Sequence, residues 1–127
     1  MPPMKHILIV DDDKDICLLL ERFLKKKSFS VSATHSGASA IDYLKNNATD
    51  LVLLDFKLPD YTGIDVLQKI KIVNPEIQVI IITGYSDMRV AIDALKKGAF
   101  DYVVKPLYPD EISVSYTHLT LPTTPYV

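Results

Sequence analysis

Four short apolar runs of this 127-residue sequence each lead into polar residues. These residues are, in chain order, Asp11 with Asp12, then Asp55, Thr83 and Lys105. An apolar run of four or five residues is too short for an ordinary helix and is typical of a strand buried on both faces, as in a parallel sheet. Ligands bind at the carboxyl ends of the strands in open α/β sheets. We therefore expect three carboxylates, one hydroxyl and one ammonium in a single cleft.

Such a cleft would suit a cation and a phosphoryl group. Three clustered carboxylates repel one another unless a cation lies among them, and hard oxygen ligands suit Mg²⁺ or Mn²⁺. A carboxylate beside a divalent cation and a lysine can accept a phosphoryl group, because both positive charges stabilise the phosphoryl oxygens. Thr83 could then donate a hydrogen bond to one of those oxygens. Position alone leaves open the simpler alternative that Asp55 caps a turn.

Strand patterns alternate with helical patterns along the chain, which predicts a parallel sheet with helices on both faces. The predicted strands cover residues 6–10, 29–33, 50–54, 78–82 and 100–104, and the helices between them cover residues 14–27, 36–46, 64–72 and 86–98. Ser36 is the expected N-cap of the second helix. Ser86 or Asp87 is expected to cap the fourth helix, which Gly98 should end. The core-facing residues of that helix are predicted to be Val90, Ala91, Ala94 and Leu95.

Composition narrows the class of protein. The length suits one domain, and a net charge of −2 without a basic patch argues against direct contact with nucleic acid. The single cysteine, Cys17, cannot form an internal disulfide, which fits a reducing compartment, and it is expected to be a small buried hydrophobe. No apolar stretch is long enough to span a bilayer, and because residues 1–5 lead directly into a predicted strand, no signal peptide is expected. A cytoplasmic location is the expectation.

Five motifs together resemble the bacterial two-component response-regulator receiver domain. They are Ile9–Asp13, Leu53–Asp55, Leu58–Gly63, Ile82–Gly84 and Val104–Pro106, and the resemblance covers about residues 4–112. It implies a flavodoxin-like, doubly wound sheet of five parallel strands in the order 2-1-3-4-5, with helices on both faces. It also implies a regulatory domain, not an enzyme, with at most its own phosphorylation and dephosphorylation.

The resemblance also implies roles for single residues. Asp55 would be the phospho-acceptor, taking its phosphoryl group from a sensor histidine kinase. Asp12 would bind Mg²⁺, or Mn²⁺, directly, together with Asp55 and the backbone carbonyl of Lys57. Asp11 would act on the metal mostly through water.

Further residues would respond to phosphorylation. Lys105 would pair with the phosphoryl group, Thr83 would swing toward it, and Tyr102 would turn inward. Pro106 would follow a cis peptide bond after Lys105. The simpler alternatives are a strand-end hydroxyl for Thr83, a solvated charge for Lys105 and plain core packing for Tyr102.

A haloacid-dehalogenase-like phosphatase is the alternative from a different class, with Asp11 as the start of its Asp-x-Asp nucleophile motif. Three features argue against it. No acidic pair placed to hold the metal follows Lys105, Asp15 stands where that family keeps a threonine, and Asp55 would have no role.

The segments Gly84–Asp87 and Ala91–Tyr102 look like receivers fused to sigma-54-dependent transcriptional activators. The expected partner is then an output domain that controls transcription, and a homodimer of the intact parent is left open. The alternative is a stand-alone receiver that acts by binding a partner directly. The sequence does not decide between these two arrangements.

The final segment departs from the receiver pattern. A fifth helix is expected after Asp110, but residues 113–127 have no helical stripe and contain Pro122 and Pro125. Residues 114–123 can be back-translated into DNA that resembles a transposon-end sequencing adapter. We therefore interpret residues 113–127 as a non-native tail, with the fifth helix truncated or replaced.

Overall fold

Five parallel strands form one sheet in the spatial order 2-1-3-4-5, as predicted. The computed structural model describes residues 5–84 and 88–104 of the chain. The strands are β1 (His6–Val10), β2 (Ser30–Thr34), β3 (Leu51–Asp55), β4 (Gln78–Thr83) and β5 (Asp101–Val104). Because β1 and β3 are central neighbours, their carboxyl ends meet near the middle of one sheet edge.

Helices cover both faces of the sheet. They are α1 (Lys14–Lys26), α2 (Gly37–Asn46), α3 (Gly63–Val73) and α4 (Met88–Lys96). Side chains of α1 pack on one face, and those of α2, α3 and α4 pack on the other. Within the described ranges, no helix combines the length and the apolar composition needed to cross a bilayer. The predicted fifth helix, and the predicted caps Ser86 and Asp87, lie outside the described residues.

Strand β3 shows why the sequence builds this sheet. Leu51 and Leu53 lie in the apolar cluster under α1, whereas Val52 and Leu54 lie in the cluster under α2, α3 and α4. All four side chains are 0% exposed. Consecutive residues of a strand point to opposite faces, so a strand covered on both faces must be continuously apolar. The run that precedes Asp55 is therefore buried as the sequence predicted.

Side-chain caps fix where three helices begin. Ser36 caps α2 by accepting a hydrogen bond from the Ser39 N–H group at 3.2 Å, which confirms the predicted cap. Asp13 caps α1 by accepting from the N–H groups of Asp15 and Ile16. Thr62 caps α3 in the same way. A cap of this kind contributes about 0.5–2 kcal/mol to stability. The cap formed by Asp13 therefore fixes the start of α1 immediately after the acidic residues that follow β1.

The prediction that Leu95 faces the core is wrong. Its side chain is 39% exposed, whereas Ala91 and Ala94 are fully buried and form the contact of α4 with the sheet. These two residues are three apart and lie on one helix face, with Leu95 on its flank. Gly98 has a φ of +111° and follows the end of α4, as predicted.

A hydrogen-bonded histidine lies at the opposite edge of the sheet from the acidic residues. His6 Nδ1 is 2.9 Å from Ser30 Oγ, and His6 Nε2 is 2.6 Å from Tyr43 Oη. The Tyr43 hydroxyl donates to Ser32 Oγ at 3.0 Å, so Nε2 donates and Nδ1 accepts. Burial lowers the pKa of His6 from its ordinary value of 6.5, and the nearby charge of Asp50 only partly opposes this shift.

Stability is therefore expected to fall as the pH is lowered below 6.5. The pKa of His6 is lower in the folded state than in the unfolded state, so the unfolded state binds the proton first and gains population. Urea denaturation at pH 7.5 and pH 5.5 would measure this loss in the wild type. The His6→Gln variant should lose less stability between the two values, and equal losses would contradict the prediction.

Candidate metal centre at the strand ends

Three carboxylates meet at the carboxyl edge of the sheet. Asp11, Asp12 and Asp55 each offer an oxygen atom, and these oxygens lie within 4.8 Å of one another. The sheet register explains the meeting, because Val10 pairs with Leu54 across the central strands. The next residues, Asp11 and Asp55, therefore reach the edge side by side. The acidic pocket predicted from the sequence is present.

The three acids differ in exposure. Asp11 is 0% exposed and Asp55 is 4% exposed, whereas Asp12 is exposed to solvent. One oxygen of Asp11 accepts a hydrogen bond from the Asp13 N–H group at 2.9 Å, and the Asp11 N–H group donates to the Thr34 carbonyl at 3.2 Å. Asp11 is thus held between the start of α1 and the end of β2.

This donor set fits a hard divalent cation. All three side chains offer carboxylate oxygens, the ligands that Mg²⁺, Ca²⁺ and Mn²⁺ prefer in proteins. Buried carboxylates close to one another repel unless positive charge is nearby. Asp12 is the exposed member of this group and lies beside the two buried acids.

Thr83 lies at the adjoining strand end. It is the last residue of β4 and is 1% exposed, and its hydroxyl donates to the Gly84 carbonyl over a long 3.4 Å. Asp55 pairs with Ile82 in the neighbouring strand, so Thr83 lies one residue beyond that pair. The structure therefore places Thr83 at the same sheet edge as the three acids, inside the strand and not after it.

Of the remaining predicted site residues, Lys57 and Tyr102 lie in the described part of the chain. Lys57 lies in the loop after β3 and pairs with Thr62 through an isolated antiparallel bridge. Tyr102 is half-buried in β5, pairs with Ile81, and packs against the apolar cluster under α2, α3 and α4. Lys105 and Pro106, with the predicted cis peptide bond, lie outside the described residues.

Gly63 brings the start of α3 against the strand that carries Asp55. Its N–H group donates to the Phe56 carbonyl at 2.6 Å. A Cβ atom at this position would lie 2.8 Å from the Phe56 Cα and 3.1 Å from the Asp55 carbonyl oxygen. Since both contacts are with backbone, a side chain larger than hydrogen cannot be accepted there without moving the loop.

Cys17 lies directly beneath the acidic residues. It is 2% exposed, as predicted, and its thiol donates to the Asp11 carbonyl at 3.4 Å. Burial, reinforced by the charge of Asp11, raises the pKa of this thiol to about 12. The thiol is therefore protonated at neutral pH and is a packing residue of the site.

Sequence reasoning missed one residue of the loop after β3. The carboxylate of Asp60 accepts hydrogen bonds from the backbone N–H groups of Gly37 at 2.8 Å and Ala38 at 2.9 Å. These partners stand 23 and 22 residues earlier in the chain. The local signal, an Asp after a Pro, indicates only a turn.

The fold and the acidic pocket are those of a receiver. The sequence profile of the response regulator receiver domain matches residues 7–116, and the chain belongs to this family. It is the receiver domain of a two-component response regulator, with a regulatory role.

Two relatives illustrate the match. Transcriptional regulatory protein ZraR of Escherichia coli (strain K12) is 38% identical over 127 residues, which span 95% of this chain and 29% of ZraR. The chain thus spans less than a third of that curated relative. The receiver domain protein (CheY-like) of Methanospirillum hungatei JF-1 superposes with a TM-score of 0.87 at 29% identity, over 92% of this chain and 94% of that one.

Proposed function

We propose that Asp55 accepts a phosphoryl group from a histidine of a sensor kinase, in a site where Asp11, Asp12, Asp55 and the Lys57 backbone carbonyl hold Mg²⁺. The supporting observation is the position of Asp55, 4% exposed at the end of β3 with its carboxylate beside two others. Mn²⁺ has the same ligand preference and would be expected to substitute.

A carboxylate oxygen of Asp55 is the nucleophile in this proposal. It forms a bond to phosphorus as the bond from phosphorus to the kinase imidazole nitrogen breaks, and the imidazole keeps the electron pair. When bound, the divalent cation neutralises the charge on the phosphoryl oxygens. Asp11 and Asp12 would hold that cation beside Asp55, whose backbone packs against the start of α3.

The response to phosphorylation would start at Thr83. Its hydroxyl makes only a long bond to the Gly84 carbonyl, which new negative charge on Asp55 can outcompete. Movement of Thr83 would open space for the half-buried ring of Tyr102. By the family pattern, Lys105 would pair with the phosphoryl group and the bond before Pro106 would be cis.

The output is proposed to be transcription. The curated relatives include transcriptional regulatory proteins that are longer than this chain. We assign residues 4–112 to the receiver and expect the parent protein to carry an output domain, as in sigma-54-dependent activators, with a homodimer as one arrangement. A stand-alone receiver is the alternative. Sequencing the locus from an unfragmented template would identify the output domain and test whether residues 113–127 are a non-native tail.

Phosphorylation of Asp55 is the prediction that tests the function. Incubation with a small phosphodonor and Mg²⁺ should add one phosphoryl group, and peptide mass spectrometry should locate it on Asp55. Asp55→Asn should abolish the product, because an amide oxygen is a far weaker nucleophile than a carboxylate. Asp65→Asn, which changes an exposed acid in the first turn of α3, should be phosphorylated like the wild type. A phosphoryl group on Asp11 would contradict the proposal and favour the phosphatase alternative.

A further inference from the structure

The loop that joins β3 to α3 is attached to a helix that is remote in sequence. Both oxygens of the Asp60 carboxylate are used: Oδ1 accepts from the Gly37 N–H group at 2.8 Å, and Oδ2 accepts from the Ala38 N–H group at 2.9 Å. These groups open α2, where backbone N–H groups have no partner within the helix. The two bonds therefore connect the middle of the loop to the first turn of α2.

The neighbouring side chain reinforces the same contact. A Cβ atom on Gly37 would lie 2.7 Å from Tyr61 Cδ2, so the Tyr61 ring lies directly against the backbone of this glycine. The ring is also 5.3 Å from Lys69 Nζ on α3. Asp60 and Tyr61 thus hold the loop against α2 from two consecutive positions.

The rest of the loop is fixed at its ends. The Phe56 N–H group donates to the Ile82 carbonyl at 2.9 Å, which extends the pairing of β3 with β4. At the other end, Lys57 pairs with Thr62, and Thr62 caps α3. Four residues, Leu58–Tyr61, separate the two partners of this bridge, and Asp60 is where this segment contacts α2.

The charge of Asp60 strengthens this attachment. Hydrogen bonds from the N–H groups of Ala38 and Gly37 hold the pKa of the carboxyl below its ordinary value of 3.8. The group is therefore a carboxylate at neutral pH, and negative charge is favourable at a helix N-terminus. Ser36 caps the same helix separately, through the Ser39 N–H group, so Asp60 and Ser36 use different N–H groups of α2.

We propose that Asp60 is a positioning residue of the phosphorylation site, which fixes the β3–α3 loop against α2 so that the backbone carbonyl of Lys57 is held in place to bind the metal. This inference rests on the proposed function, since it requires Lys57 to be a metal ligand. Asp60 does not belong to the group of carboxylates formed by Asp11, Asp12 and Asp55, so it would act only through the loop. Loss of its two hydrogen bonds should therefore weaken metal binding and leave the nucleophile itself intact.

The test compares Asp60→Ala with Asp42→Ala, which removes an exposed carboxylate from α2 itself. Calorimetric titration with Mg²⁺ should give a Kd about tenfold higher for Asp60→Ala, the lower end of what outer residues of a metal site typically contribute. Asp42→Ala should bind Mg²⁺ like the wild type. In phosphorylation assays, Asp60→Ala should need more Mg²⁺ for half its maximal rate but should approach the wild-type rate at saturation.

A purely structural role would not produce this pattern. Amide exchange should show faster exchange at Gly37 and Ala38 in Asp60→Ala, while urea denaturation reports whether the variant is folded. If Asp60→Ala does not fold, the Mg²⁺ titration is repeated with Asp60→Asn. This variant keeps one acceptor oxygen, so its Kd should lie between the wild-type value and the roughly tenfold higher value expected for Asp60→Ala. A wild-type Kd in either folded variant would overturn the positioning role alone. A wild type that neither binds Mg²⁺ nor accepts phosphate would overturn the proposed function, and the role of Asp60 with it.

Discussion

The Leu54→Ala variant is expected to have a free energy of unfolding about 2–5 kcal/mol lower than the wild type. Leu54 is 0% exposed in the central strand, where it pairs with Val10 on one side and Ile81 on the other. Truncation removes buried apolar contact and leaves a cavity that the rigid sheet cannot close. Domains of this size are stable by only about 5–15 kcal/mol, so the loss should be a large part of the total.

Urea denaturation followed by circular dichroism would measure this effect. The matched control is Leu18→Ala, the same substitution at a position on α1 that is 53% exposed. That change should alter the free energy of unfolding by no more than about 0.5 kcal/mol. Equal losses in the two variants would show that Leu54 does not lie in a packed core.

The Gly63→Ala variant is expected to lose both stability and phosphorylation. Its Cβ atom would lie 2.8 Å from the Phe56 Cα, so the start of α3 and the end of β3 must move apart. Overpacking of this kind typically costs about 1–3 kcal/mol. Because the displaced backbone belongs to Asp55 and Phe56, the rate of phosphorylation by a small phosphodonor should fall as well.

Gly98→Ala separates the two effects. Gly98 has a φ of +111°, so alanine there is also strained and should also reduce stability. This glycine precedes β5 and lies at the edge of the sheet opposite to the acidic pocket. Folded Gly98→Ala should therefore be phosphorylated at the wild-type rate, and a similar loss in both variants would contradict the specific role of Gly63.

The sheet and the acidic pocket were predictable because each depends on a local pattern. The buried strands are continuous apolar runs, and parallel strands necessarily bring Asp11 and Asp55 to one edge. The contact between Asp60 and Gly37 depends on how two remote loops pack, which no local pattern encodes. The inward position predicted for Leu95 was wrong for a related reason. The apolar pattern of a short helix shows which face is buried, but it does not show whether a residue next to that face, such as Leu95, is buried as well.

The burial of Asp11 and Asp55 beside Asp12 also bears on how this family diverges. Grouped acids oppose folding when no cation is bound, so drift under selection for folding alone would replace them with neutral residues. The apolar strands would tolerate that replacement, since none of the three acids contributes to the core clusters. Under the proposed function, retention of all three acids would therefore distinguish a relative that can be phosphorylated from one that keeps only the fold.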